Sequence, residues 1–169
     1  MPTISSPAFA AVALGVAAAT IVDIRTRRIP NALTATMAGV GIGLAAAGVS
    51  GISVGAALAG LVVGFALMMP GHMLGATGAG DVKLMAAVGA IVGPGLTVTA
   101  FLFTALAGGV LAVVVAVRRR RLAATLAGTG RLIAAPADAP RELRTAAPVS
   151  RFAYGPAIAI GSVLAALLG

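Results

Sequence analysis

No cysteine and no tryptophan occur among the 169 residues, and there is one histidine and one tyrosine. The lack of cysteine excludes a disulfide framework and a thiolate zinc site, and it carries no information on redox compartment. The lone His72 offers no metal constellation, so neither a metal nor a cofactor is expected, and His72 reads as a loop or substrate-proximal residue. Charge is scarce as well. Only 9% of residues are charged, against about a quarter in soluble domains. A mean hydropathy of +1.09 then leaves no soluble-domain reading. The first six residues, Met1 to Ser6, carry no Lys or Arg. A cleavable signal peptide has a basic leading region, so the first apolar run is expected to be a retained transmembrane helix.

What the chain has is long apolar runs: Ile4–Val22, Ala32–Val49, Gly51–Met69, Val82–Val92, Leu96–Val117 and Phe152–Leu168. A crossing of ~30 Å of hydrocarbon takes ~20 apolar residues as helix. Main-chain groups in lipid must be paired internally, and no strand-like alternation is present, so the expected fold is an all-α bundle. It has about six transmembrane helices in a single domain, residues 1–169. The fourth run is short and ends at Gly93-Pro94-Gly95, giving only ~16 Å of helix. Either its helix extends back through Ala79 or the Gly-rich approach to Asp81 dips into the membrane.

The twelve basic residues fix an orientation. Arg25, Arg27 and Arg28 follow the first run, Lys83 begins the fourth, and the rest lie in a basic loop at about Arg118–Arg151. Six spans put all of them on one side, which the positive-inside rule makes cytoplasmic, with both termini outside. The opposite loops, Val49-Ser50-Gly51 and Gly93-Pro94-Gly95, carry none. Basic residues placed this way are topology determinants, so the expected partner is a lipid bilayer and not nucleic acid. The basic loop reads as solvated and held near anionic headgroups, at about 1 kcal/mol per basic residue. Glycines at spacing four, Gly39/Gly43, Gly51/Gly55, Gly60/Gly64 and Gly89/Gly93, read as close helix packing.

Only four acids are present. Asp138 and Glu142 fall in a polar stretch with prolines, but Asp23 and Asp81 sit at the edges of apolar runs, where a carboxylate is costly. Asp23 has a bland reading as a helix-end acid paired with Arg25, Arg27 or Arg28. Asp81 has one as the N-cap of a helix running on from Val82. Capping does not require Gly78 and Gly80 in front of it, and their lack of side chains would let an extended peptide approach. Ile29-Pro30-Asn31 reads as a tight cytoplasmic turn. Two neighbouring aspartates share a proton, so one can activate water while the other polarises a carbonyl. The helix end at Asp81 and the nearby Lys83 tilt the base role toward Asp81; Lys83 is equally a topology anchor. The location of the proton stays open.

Asp23-Ile24-Arg25-Thr26-Arg27-Arg28-Ile29-Pro30-Asn31 and Gly78-Ala79-Gly80-Asp81-Val82-Lys83-Leu84 resemble the two catalytic blocks of the type IV prepilin peptidases, membrane aspartic proteases of Gly-x-Gly-Asp type. Tyr154-Gly155-Pro156 resembles a third block, and Ala153 departs from the proline found before its aromatic residue. The resemblance implies a catalytic pair Asp23 and Asp81, with Gly78, Gly80, Lys83, Pro30 and Asn31 as support. It implies cleavage of a basic leader from a prepilin at the cytoplasmic face of a bacterial inner membrane. Lacking cysteine and an amino-terminal extension, the chain is similar to the small peptidase-only members of the tight-adherence (Flp) type, with no zinc or methyltransferase domain. The alternatives are a proton-coupled small transporter, which would place its acids at mid-bilayer, and a non-catalytic pilus-assembly component.

Overall fold

A computed structural model describes residues 4–118 and 154–168. Regular structure among the described residues is helical throughout: α1 (Ser6–Thr26), α2 (Asn31–Ala46), α3 (Val54–Met73), α4 (Ala79–Arg118) and α5 (Gly155–Leu168). Among the described residues five helical elements therefore stand where six separate helices were expected. The difference is α4, whose two arms are joined across a kink at Gly93, with φ 78° and ψ 173°. Only glycine takes that left-handed conformation without strain. Pro94 then opens the second arm, where its missing N–H costs nothing. Beyond Arg118, the basic loop Arg118–Arg151 lies outside the described residues.

Among the described residues three segments are long and apolar enough to cross a membrane, Ser6–Thr26, Val54–Met73 and Ala79–Val114. The helices α2 and α5 are apolar but shorter. Large apolar side chains cover the outside of the bundle: Leu14 is 73% exposed, Leu106 66% and Val62 62%. Such a surface suits hydrocarbon, and the chain is a multi-pass helical membrane protein.

The first arm of α4 is the centre of the bundle. From Val82 to Val92 every residue except Lys83 is buried. Apart from Lys83 this stretch is apolar on all sides, and α1, α2, α3 and α5 enclose it. Val12, Val16 and Ala19 of α1 and Ile158 of α5 join Leu84, Met85, Val88 and Ile91 in one core. The arm reaches back to Ala79, which decides between the two expected geometries and gives it a rise of about 21 Å.

Backbone proximity, not side-chain bulk, sets these helix distances. A methyl group added at Gly41 would lie 2.7 Å from the Ala90 carbonyl oxygen. Gly60 rests against the Gly89 carbonyl, and Gly64 against that of Met85. The glycine pairs thus divide: Gly60/Gly64 and Gly89 pack closely, whereas Gly39 and Gly43 face open space.

Two contacts define the ends of the bundle. Gly93 lies against Ile52, so the kink and the α2–α3 loop share one end. Gly80 lies against Ile29, so the start of α4 and the α1–α2 turn share the other.

Gly89→Ala would push a methyl group into the Gly60 main chain, and overpacking of this kind costs about 1–3 kcal/mol. Gly39→Ala should change stability by less than about 0.5 kcal/mol. Thermal unfolding in detergent checks both, and equal shifts would refute the packing assignment.

Candidate active site

Asp23 occupies the last turn of α1, and its own carbonyl accepts the Arg27 N–H at 2.7 Å. Arg27 adopts φ 53°, which ends the helix and turns the chain. Ile29 is buried, Pro30 caps α2, and its carbonyl accepts the N–H groups of Leu33 at 3.1 Å and Thr34 at 3.4 Å. The expected turn at Ile29-Pro30-Asn31 is present.

The Asp23 side chain is 6% exposed. Its Oδ2 accepts the main-chain N–H of Gly155 at 3.0 Å, from the first residue of α5. Arg25, Arg27 and Arg28 are all exposed. Asp23 thus turns into the bundle while the arginines turn out of it, which is not the arrangement of a stop-signal acid paired with its neighbours.

Asp81 is 7% exposed and belongs to the first turn of α4. It is not the N-cap. The helix starts earlier, and the Gly78 carbonyl accepts from the Asp81 N–H at 3.1 Å and from Val82 at 3.3 Å. The Asp81 Oδ2 reaches back to accept the Gly78 N–H at 2.8 Å. This is the acidic half of a capping box, in which the third helical residue satisfies the otherwise unpaired donor of the cap residue.

The two glycines of this block serve internal packing. A methyl group at Gly78 would sit 3.1 Å from Asp81 Oδ2, and one at Gly80 would sit 3.0 Å from Ile29 Cβ. The bare face of Gly80 is filled by the α1–α2 turn, which docks that turn, and with it Asp23, onto the start of α4. Their expected use as open space for a substrate peptide is not where these particular faces point.

The structure puts Asp23 and Asp81 at the same end of the bundle, where the Asp23 and His72 charges reach Asp81 and the Asp81 charge reaches Tyr154. His72 stands in the last turn of α3, not in a loop, and its Nδ1 is 3.1 Å from the Thr77 carbonyl. Lys83 does not turn toward Asp81. Its ammonium donates to Asn31 Oδ1 at 2.8 Å, tying the start of α2 to α4 at the exposed rim. A shallow cleft of about 390 Å³ begins at that pair and continues along Thr34, Ala38, Leu61 and Phe65.

Gly155 is the site residue that sequence reasoning missed. The Tyr-Gly-Pro segment is visible in the sequence, but a main-chain donor has no side-chain signature. Its part in the site emerges only from the fold.

A multi-pass helical membrane protein with a buried aspartate pair at one end of its bundle is the class that fold and site define. Within it, the chain belongs to the type IV leader peptidase family, whose sequence pattern matches residues 10–113, more than half of the chain. The matched stretch contains Asp23 and Asp81, while Tyr154 and Gly155 lie beyond it. Membership makes the protein a peptidase of the aspartic type. No curated protein and no solved structure matches the chain.

Gly80→Val should destabilise the protein by about 1–3 kcal/mol through its collision with Ile29. Ile29→Ala removes the obstructing side chain, so the double variant should lose less than the sum of the single losses, with a coupling of about 0.5–3 kcal/mol. Strict additivity in detergent unfolding would show that the two residues do not share this space.

Proposed function

We propose that the protein is a prepilin peptidase that cuts the leader from pilin precursors at the cytoplasmic face of a bacterial inner membrane. Asp23 and Asp81 act as its catalytic pair. The observation that carries this reading is their convergence. Two of only four acids, far apart in sequence, are buried together at one end of an apolar bundle. Burying a carboxylate without a functional return is costly, and structural needs alone do not call for two in one place.

The chemistry follows from proximity. Neighbouring carboxylates do not both ionise readily, so the pair holds one proton between them. The ionised member takes a proton from a water molecule as that water attacks the scissile carbonyl carbon. The protonated member donates a hydrogen bond to the carbonyl oxygen and stabilises the charge that grows there. The same groups then return a proton to the leaving amine. Each carboxylate keeps one oxygen, Oδ2, on a main-chain N–H, which orients the other toward the reaction.

In this reading the two arms of α4 cross separately, α2 and α5 cross as well, and six spans place both termini outside. The clustering of basic residues at the aspartate end supports it: Arg25, Arg27 and Arg28 follow Asp23, and Lys83 follows Asp81. An enzyme of the Flp type, with an Flp-type prepilin as substrate, is the functional description this reading favours. Acids at one end of the bundle suit a hydrolase at a membrane face better than a mid-bilayer proton relay.

Asp23→Asn and Asp81→Asn should each lower leader cleavage by about 10²–10⁴-fold with insertion and folding intact. Because the pair works as one unit, the double variant should be no worse than either single one. Co-expression with a candidate prepilin, read by the mobility shift of the processed product, tests this; full processing by either variant would remove the dyad.

Single cysteines introduced into the wild type, which has none, report topology directly. Cysteines at Thr26 and Arg28 should react with an impermeant thiol reagent only from the cytoplasmic side, and cysteines at Ser53 and Gly95 only from the outside. Labelling of both sets from one side would break the six-span arrangement.

A further inference from the structure

The region matched by the family pattern ends at residue 113, yet one of the two carboxylates is held from outside it. We infer that Gly155 is a positioning residue for Asp23, its main-chain N–H fixing the orientation of the reacting carboxylate from the first turn of α5. The inference rests on the dyad reading and deepens it.

Three observations carry it. The first is the hydrogen bond itself: Gly155 N–H donates to Asp23 Oδ2 at 3.0 Å in a buried setting. A donor to an ionised carboxylate is shorter and stronger than a neutral pair, and at a buried site it also removes the rotational freedom of the carboxyl group. Pro156 has no N–H, so at this start of α5 the donor comes from Gly155.

The second is the absence of room for any side chain. A Cβ at Gly155 would lie 2.8 Å from Asp23 Oδ2 and 3.2 Å from Asp23 Cβ. The carboxylate rests directly on the glycine α-carbon, so any side chain at this position displaces it.

The third is that the donor is itself held in place. The Tyr154 carbonyl accepts the N–H groups of Ala157 at 3.0 Å and Ile158 at 3.1 Å, which forms the first turn of α5. The Tyr154 ring lies over Gly108 of α4, where an added methyl group would come within 2.7 Å of the phenol oxygen. Farther along, Gly161 packs against Thr104, and Ile158 is fully buried. The end of α5 therefore has little freedom to slide, and Asp23 inherits that rigidity.

The test compares Gly155→Ala with Gly161→Ala. Both add one methyl group to α5 at a crowded contact, but only the first meets Asp23. Displacing a reacting group by about 1 Å costs on the order of a hundredfold in rate. Gly155→Ala should therefore lower kcat for leader cleavage by about that factor per folded molecule, with KM unchanged, because the substrate surface is untouched. Gly161→Ala should lower Tm in detergent and leave kcat of the folded fraction intact. Wild-type kcat in Gly155→Ala overturns the inference, as does a loss no larger than that of Gly161→Ala.

An activity-independent measurement guards against misfolding of the variant. In otherwise wild-type protein labelled with ¹⁵N-glycine, the Gly155 amide proton should move upfield in Asp23→Ala and stay in place in Asp81→Ala. An unmoved Gly155 proton in Asp23→Ala overturns the proposal. The two readings fail separately. Cleavage by Asp23→Asn or Asp81→Asn sinks the dyad, whereas loss of cleavage in both, alongside wild-type kcat in Gly155→Ala, sinks only the positioning role.

Discussion

Every part of the site depends on how two carboxylates are satisfied inside an apolar bundle. A buried carboxylate needs donors, and the nearby cations are turned away: the arginines after Asp23 are exposed, and Lys83 bonds to Asn31. The donors are main-chain N–H groups at the starts of two helices, Gly78 for Asp81 and Gly155 for Asp23. Such groups have no partner within their own helix, so the arrangement satisfies donor and acceptor together. Among the described residues neither carboxylate has a salt bridge, which suits the proton exchange proposed for the pair.

The packing of α4 follows from the same need. Its first arm must lie deep enough for Asp81 to be buried and still let its first turn meet the α1–α2 turn. Close approach at Gly41, Gly60 and Gly64 draws α2 and α3 onto the arm, and Gly80 closes the contact with Ile29. The kink at Gly93 lets the chain change direction where the α2–α3 loop lies beside it. Glycine is thus used at contacts and at the α4 bend, while Gly39 and Gly43 fill no such role.

Much of this was legible in the sequence. The apolar runs locate α1, α2, α3, both arms of α4 and α5, and the spacing of basic residues puts Asp23 and Asp81 at the same end. Four things were not. Hydropathy places the start of α4 at Val82, because Gly78, Gly80 and Asp81 are poor in apolar surface; the helix starts earlier because the Asp81 side chain caps it. His72 likewise reads as loop beside Pro70 and Gly71, yet α3 continues to Met73. Spacing-four glycines cannot be sorted into packing and open positions without knowing which face of each helix has a neighbour. The contribution of Gly155 is hidden for a different reason, since hydrogen bonding by a peptide N–H is common to every residue but proline.

The bond between Asp23 and Gly155 joins residues 132 positions apart. A ribosome adding ~5–20 residues per second needs on the order of ten seconds to cover that interval. Throughout it α1 is already made, while the helix that supplies the donor for Asp23 does not yet exist. In the dyad reading, the donor to Asp23 is added well after both aspartates have been made, and a nascent chain that ends before α5 is still unarmed. On that reading, a protease inserted into the membrane alongside other newly made proteins gains from such an order of assembly: the capacity to cut waits for the helix that holds Asp23.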